Sequence, residues 1–507
     1  MNRDERARSK RSSKGQYTHS LRRVCARGCR RIHVALMGSG NLVCRKPNLN
    51  RRTTSVKSFI LSCRRAWPPA LLMLNACAHY TPLPLPPAAA VAAQPNLAVL
   101  SADAQQIRRP FLRPQPIDLN APLTPNALAV IAVIENPELK AQRAKVGLTD
   151  AQVFAARLLP DPTFQANFDK RLSGPDKFNG YGAQIGFDLN SLRTAAATRQ
   201  SGEAQKSQVR LDLAWAEWNT AGQARLQGVR MFELERQLRI AQVSAAAAEK
   251  MYAAVARAAG RGDVSATDLD ARRQTLVDAQ SKYRQTEEGL ATARTDLDKQ
   301  LGLPPDTMLR VAPPAASPVP PAAEALVRQA IDRRLDLQAL RSGYQSAEAE
   351  LHKAVLEQFP NVSLALAGAS DTANNKTIGP VIGFSLPLWN RNRGNISIAQ
   401  ATREQLRVEY VARLFQTRAE IVAAVEAIRA LRQQRSDLAS QMPALQSYAS
   451  ASRRAALRGD LSEATAETAE QAVRDRELSY LQLDQQIEEQ TIALELLSGG
   501  PSEAWFQ

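Results

Sequence analysis

The residues able to do chemistry are few and unevenly placed. All five cysteines (Cys25, Cys29, Cys44, Cys63 and Cys77) fall within the first 77 of 507 residues. Cysteines bind zinc when they recur in pairs at ligand spacing, and Cys25 and Cys29 have no second pair to complete a site. Beyond the N-terminal region the only histidines are His79 and His352. The body therefore offers no His/Cys metal site, no disulfide framework and no cofactor attachment. Phosphate-cradling glycine loops, nucleophile elbows and zinc-protease signatures are missing as well, so the chain does not read as an enzyme. What remains is acidic: Glu463 and Glu467 stand four apart and share one face of a helix.

The second signal is conformational. Arg261-Gly262-Asp263 and Arg458-Gly459-Asp460 are each followed by an aliphatic residue and Ser, 197 residues apart. The same offset relates Gln274 to Gln471, Tyr283 to Tyr480, Gly302 to Gly499 and the run IGFDL at 185–189 to IGFSL at 382–386. Leu139 and Leu337, and Pro162 and Pro360, match at 198. One residue of slip over such a length marks a tandem duplication. Its halves are joined by the Pro-rich run at 312–323.

Leu269, Leu276, Tyr283, Leu290 and Leu297 recur every seven residues, as do Val473, Tyr480, Ile487 and Leu494. This is a coiled-coil seam. The preceding Pro-poor runs, 203–258 and 397–457, predict helices far longer than a compact domain requires. Gly reverses the chain between long helix and partner, and the Asp-x-Ser that follows suits a helix cap.

Upstream of each long helix lie segments alternating at period two. Phe164, Ala166 and Phe168 oppose Gln165, Asn167 and Asp169, and Ile185, Phe187 and Leu189 oppose Gln184 and Asp188. Residues 360–369 and 379–388 repeat the theme, giving a hairpin in each half. An apolar and a polar or small face suit a membrane β-barrel. Four strands cannot close one, so oligomerisation is implied.

The net charge of +17 belongs to one end. Residues 1–65 hold 18 of the 66 basic side chains and two of the 49 acids, leaving the body near neutrality. A nucleic-acid partner is not expected, because the tail carries no recognition motif. Arg64 and Arg65, an apolar run and Leu74-Asn75-Ala76-Cys77 have the layout of an export signal and resemble a bacterial lipoprotein box, with Cys77 acylated. A Pro/Ala tether follows.

The duplicated unit resembles the bacterial outer-membrane efflux channel family, the TolC-type channel-tunnels. The resemblance rests on the repeat, the two strand hairpins and the paired Gly turns. The expected fold is mostly α with a small β part: tandem coiled-coil hairpins forming an α-barrel, plus four strands per chain in a trimeric twelve-stranded barrel. The expected layout is a basic extension and signal (1–76), a tether (77–120), a first repeat (121–311), a linker (312–323), a second repeat (324–500) and a tail (501–507). The resemblance implies a homotrimeric, lipid-anchored outer-membrane conduit that extends into the periplasm. Its expected partners are a periplasmic membrane-fusion adaptor and an inner-membrane pump. Arg261, Gly262, Asp263, Arg458, Gly459 and Asp460 would be the adaptor-contact tips, and Glu463 and Glu467 a ring of carboxylates at the gate. The turn LPLWNRNRGNI at 386–396 resembles the heavy-metal branch, which works with resistance-nodulation-division pumps, although metal ions, drugs and secreted peptides all remain open as cargo. The rival reading is a structural envelope coiled-coil lipoprotein without a pore.

Overall fold

The computed structural model describes residues 80–87, 95–305 and 307–506. The N-terminal extension, the export signal and Cys77 lie outside these residues. The chain divides into two units, Met1–Pro84 and Leu85–Gln507. Of the first, the described residues 80–84 are irregular and exposed.

The second unit holds the repeat. After α1 (Leu97–Gln106), the first copy runs α2 (Pro125–Glu135), α3 (Pro137–Arg157), β1 (Thr163–Asp169), β2 (Gly180–Asp188), α4 (Asn190–Ala259) and α5 (Ala266–Leu301). The second copy runs α6 (Ala323–Arg333), α7 (Leu335–Leu356), β3 (Val362–Ser370), β4 (Lys376–Phe384), α8 (Arg393–Leu457) and α9 (Glu463–Ser498). A short 3-10 helix, Ser502–Phe506, follows.

Local chemistry sets the boundaries. The Thr124 side chain accepts from Ala127 N–H ahead of Pro125, and Asn136 caps α3 by accepting from Glu138 and Leu139 N–H ahead of Pro137. Proline at a first helical position lacks a donor that would be unpaired anyway. Between α6 and α7 the corresponding position is Arg334, which is buried. Its guanidinium binds Asp336 at 3.0 and 2.8 Å and lies 5.0 Å from the Trp215 ring centroid. Arg413 of α8 joins Asp336 at 2.9 Å, so four residues from three helices share one charged knot.

The long helices exceed anything a single core demands. With 70 residues α4 is about 105 Å long, and with 65 residues α8 is about 98 Å. Each packs on its own partner helix, α4 on α5 and α8 on α9, so each repeat is a hairpin. The seven-residue seam is buried at its inner end, at Leu290 and Leu297 in α5 and at Ile487 and Leu494 in α9, and half-buried toward the turns. Each copy has its own core: Leu128, Ile131, Met231, Leu297 and Leu301 in the first, and Leu326, Ile421, Ile428 and Leu494 in the second.

Two boundaries differ from the sequence expectation. The stretch read as tether, 77–120, is folded from Leu97 onward: α1 is capped by Asn96 and buries Leu100 and Ala104 in the first core. The stretch read as tail, 501–507, supplies Trp505 to the second core, its indole N–H donating to Ser498 Oγ at 3.0 Å. In both places apolar side chains gain more from burial than the flanking composition suggests.

The four strands form one antiparallel sheet in the order β1-β2-β3-β4. The two hairpins meet at β2 and β3, with Tyr181 opposite Ser370 and Asp188 opposite Ser363.

Candidate functional site

The two hairpin turns have the same geometry. At the first, Asp263 N–H donates to the Ala258 carbonyl at 3.0 Å and Gly262 N–H to Ala259 at 2.9 Å. At the second, Asp460 N–H donates to Ala455 at 2.9 Å and Gly459 N–H to Ala456 at 3.0 Å. Gly262 and Gly459 both sit at φ +82°, a left-handed conformation that costs an L side chain about 1–2 kcal/mol. Nothing lies within 4 Å of a Cβ built on either glycine. At Gly302 and Gly499, by contrast, a Cβ would meet backbone at 2.7 and 3.0 Å. Packing therefore fixes the second pair of glycines, whereas the tips need glycine only for the turn and leave the space outside it open.

Arg261 and Asp263 pair at 2.8 Å, and so do Arg458 and Asp460. The helix caps are the following serines: Ser265 accepts from Asp268 N–H and Ser462 from Thr465 N–H, each at 3.1 Å. Both Arg-Gly-Asp groups are exposed. The structure thus presents two superposable polar knuckles, one per repeat.

Just inside the second knuckle the repeats part. Arg453 on α8 binds Glu470 at 2.6 and 2.7 Å and Glu467 at 3.3 Å, and also reaches Glu463. Arg474 pairs with Glu467 and Glu470 from within α9. Glu463 and Glu467 thus both reach α8 and are countered by guanidinium groups of their own chain. Their exposures differ, at 62% for the Glu463 side chain and 14% for Glu467. The hydrogen bonds from Arg453 hold the Glu470 carboxyl below the ordinary glutamate range, against a smaller opposing effect of burial. The first repeat has Ala256, Ala266, Asp270 and Arg273 at the equivalent places, so this knot has no counterpart there.

Arg453 and Arg474 were missed in the sequence. Residues equidistant from a hairpin turn face one another, and counting outward from Gly459 sets Arg453 opposite the run Glu463 to Glu470.

At the opposite end of the long helices, the sheet has two unlike faces. Registry puts Phe164, Ala166 and Phe168 on one face with Tyr181, Ala183, Ile185 and Phe187. Leu364, Leu366, Ile378, Pro380, Ile382 and Phe384 continue it. Phe164 is 71% exposed and Ile378 78%. The other face carries Gln165, Asn167, Gly182, Gln184, Ala365, Ala367, Gly379 and Gly383. There Gln184 donates to Gln165 at 2.5 Å. Large apolar side chains left half or more exposed, or nearly so, on one face and backed by small and polar ones on the other suit a wall between lipid and water.

Trp389, 86% exposed, lies where the second hairpin turns into α8. The turn needs left-handed Arg391 and Asn392, and the Asn392 side chain donates to the Ala354 carbonyl at 2.8 Å. Among the described residues no helix is long and apolar enough to cross a membrane, and no cluster of His, Cys, Asp or Glu could hold a metal ion.

Comparison with known proteins follows this architecture. Residues 326–500 match the family model described as Outer membrane efflux protein. The cobalt-zinc-cadmium resistance protein CzcC of Cupriavidus metallidurans is 24% identical over 330 residues, covering 63% of this chain and 75% of the relative. Among solved structures, the CusC channel aligns with a TM-score of 0.59 at 19% identity, over 74% of this chain and 92% of that one. The Campylobacter jejuni CmeC outer membrane channel aligns with a TM-score of 0.61 at 14% identity, over 74% of this chain and 85% of that one.

Proposed function

We propose that the chain is a member of the outer membrane efflux protein family, the outer-membrane channel of a tripartite efflux system, and that it carries divalent heavy-metal cations outward; the family model matched over residues 326–500 supports this reading. The carrying observation for a conduit is the two-faced sheet set at one end of two helical hairpins. An apolar outer face and a small, polar inner face are what a water-filled barrel in lipid requires. Channels of this family act with an adaptor and an inner-membrane pump and form trimers. Three copies supply the twelve strands that four alone cannot close. The long helices then extend into the periplasm.

Within that reading, the Arg261-Gly262-Asp263 and Arg458-Gly459-Asp460 knuckles are the adaptor contacts. They are exposed, alike and farthest along the hairpins from the sheet. The partner pump is of the resistance-nodulation-division type, and Cys77 carries the lipid anchor. Of the two glutamates proposed for the gate, Glu463, the more exposed although it too is bound by Arg453, is the better placed to face a lumen. Glu467 serves the knot with Arg453 and Arg474.

Metal cargo is supported by the relative named for cobalt, zinc and cadmium resistance and by the Trp389–Arg393 turn. The ion would pass without coordination by the channel wall.

Single-channel recording in planar bilayers tests the conduit: stable conductance from a heat-sensitive trimer is expected, and a trimer without conductance would make the protein a spacer. Deleting the chain should sensitise cells to zinc, cobalt and cadmium. Sensitisation to organic drugs alone would overturn the metal assignment.

A further inference from the structure

The two outer edges of the sheet, β1 and β4, are unpaired in one chain, and one of them lacks a donor in its middle. Ser385 N–H donates to the Asn361 carbonyl and Asp371 N–H to that of Asn375, at 3.1 Å each. Backbone groups of an antiparallel strand point alternately to one neighbour and the other. The odd-numbered residues of β4 therefore face β3, and Lys376, Ile378, Pro380, Ile382 and Phe384 turn theirs to the open edge. Pro380 has no N–H to offer there. On the other edge, Leu189 N–H donates to the Val362 carbonyl at 2.9 Å, and the register of β2 with β1 then leaves Phe164, Ala166 and Phe168 facing outward.

Closing a barrel with copies of the chain joins the β4 edge to the β1 edge of the next copy. The outward groups on both edges belong to residues of the apolar face, so like faces stay together only when even-numbered residues meet. Such a pair exchanges two hydrogen bonds. At Pro380 it exchanges one, because proline accepts but cannot donate. The residue opposite keeps an unpaired carbonyl, which is costly in hydrocarbon.

The seam cannot be flush. Twelve strands at the tilt usual for barrels are offset by roughly 4–6 residues at each of three seams. The helix ends show the direction. One register row runs through Thr163, Gly186, Ala365 and Val381. Thr163 stands six residues past the end of α3 at Arg157, whereas Val381 stands twelve before the start of α8 at Arg393. A level ring of helices then needs Val381 to meet Asp169 of the next copy, twelve past its Arg157, an offset of six. At that offset Phe168 meets Ile382, Ala166 meets Phe384, and Pro380 passes beyond the end of β1, where water reaches the opposite carbonyl. An offset of four would set Pro380 against Phe168, and a flush seam would set it against Phe164. An offset in the other direction runs off β4, which begins at Lys376.

We propose that Pro380 selects the register in which copies of this chain join, by excluding every seam that places it opposite Phe164, Ala166 or Phe168. The next copy's Phe168 then lies against Ile382 and its Ala166 against Phe384. This role rests on the trimeric-barrel reading above.

The test is disulfide cross-linking of the detergent-solubilised trimer, since the chain has no cysteine after Cys77. Directly opposite residues stand about 5.5 Å apart at Cα and can be bridged, while a shift of two residues takes them past the limit of roughly 7 Å. Ala166→Cys with Phe384→Cys should join neighbouring chains at least about tenfold more than Ala166→Cys with Ile382→Cys, the weight of one orphaned carbonyl. Adding Pro380→Val restores the donor and should lower that preference severalfold, with the trimer and its conductance retained. Pro380→Ala should do the same, and serves if valine disturbs folding. Preferred cross-linking of Ala166→Cys to Ile382→Cys or Ile378→Cys with the proline in place overturns the register, as does a formed trimer in which no pair cross-links. A preference unchanged in both Pro380 variants gives the register to the helices and overturns the role of the proline. If those variants instead gather into larger oligomers with the preference unchanged, Pro380 only guards the edge against wrong pairing and the proposal falls. Absence of trimer or conductance in wild type would strike the conduit reading instead.

Discussion

Arg453 of α8 grips both carboxylate oxygens of Glu470 of α9, at 2.6 and 2.7 Å, and so ties the two arms of the second hairpin together near its tip. Glu470 titrates below the ordinary glutamate range because of that guanidinium. Its stabilising effect is therefore full above the unfolded value of about 4.3 and fades as pH falls through the lowered folded value. Arg453→Gln should cost about 1 kcal/mol, as a partly exposed pair does. Amide hydrogen exchange in the 444–478 segment should quicken in the variant at pH 7, with little change in the first hairpin. An equal response from both hairpins would contradict a local tie.

The tip glycines separate folding from contact. Gly459→Asn should be tolerated, since Asn visits the left-handed region, while Gly459→Ala should cost about 1 kcal/mol of local stability. Gly262→Trp or Gly459→Trp should abolish efflux in cells while the trimer still forms on gels, because the space beyond each glycine is open. Trimer loss would instead make the turns a folding device.

Glu488 has the opposite sign. Burial pushes its carboxyl up, outweighing hydrogen bonds from Ser317 N–H and Oγ–H at 3.2 and 2.7 Å. A raised folded value means that stability falls as pH rises from the unfolded value through the folded one, then levels off. Glu488→Gln keeps an acceptor for Ser317 without the buried charge. It should be neutral to stabilising by about 1 kcal/mol at pH 7, read as a thermal midpoint less dependent on pH between 4 and 7. A midpoint lowered at pH 7 would show that the charge itself is needed, through its attraction to the Arg432 guanidinium of α8.

The two sheet faces should answer differently to the same substitution. Leu366→Arg places a cation in lipid and should cost about 2–4 kcal/mol near the bilayer midplane, seen as loss of assembled trimer. Ala365→Arg, one residue away, faces the small and polar side. It should leave assembly intact and shift single-channel conductance and ion selectivity. Similar effects at both positions would remove the inside–outside assignment.

Much of this architecture could be read from the sequence because it is periodic. The seven-residue recurrence of Leu290 and Leu297 and the two-residue alternation at Phe164 each report burial of a single face. The 197-residue offset let each half check the other. What escaped depended on pairing across a turn or on weak local signals. The partners of Arg453 are set by the turn at Gly459 rather than by any periodicity. The Asn96 cap of α1 was masked by the Pro- and Ala-rich composition before it. Trp505 looked like a loose end because much of the core it joins, Leu326, Ile421 and Ile428, comes from far earlier in the chain. The export signal and Cys77 lie outside the described residues.

The pairing of Tyr181 with Ser370 joins positions 189 apart in the chain, with both arms of the first helical hairpin between them. Such a contact is slow to find by chance, because closing so long a loop is entropically costly. Each two-stranded half is marginal by itself. Packing of α4 against α7 brings the two halves within reach of each other, so the cost of closing the sheet is lowest once the helices have paired. Until then its greasy side does not exist as a continuous surface. A sheet closed after its helices would present its apolar side to water only briefly, with a folded base already beneath it to hand it on to lipid.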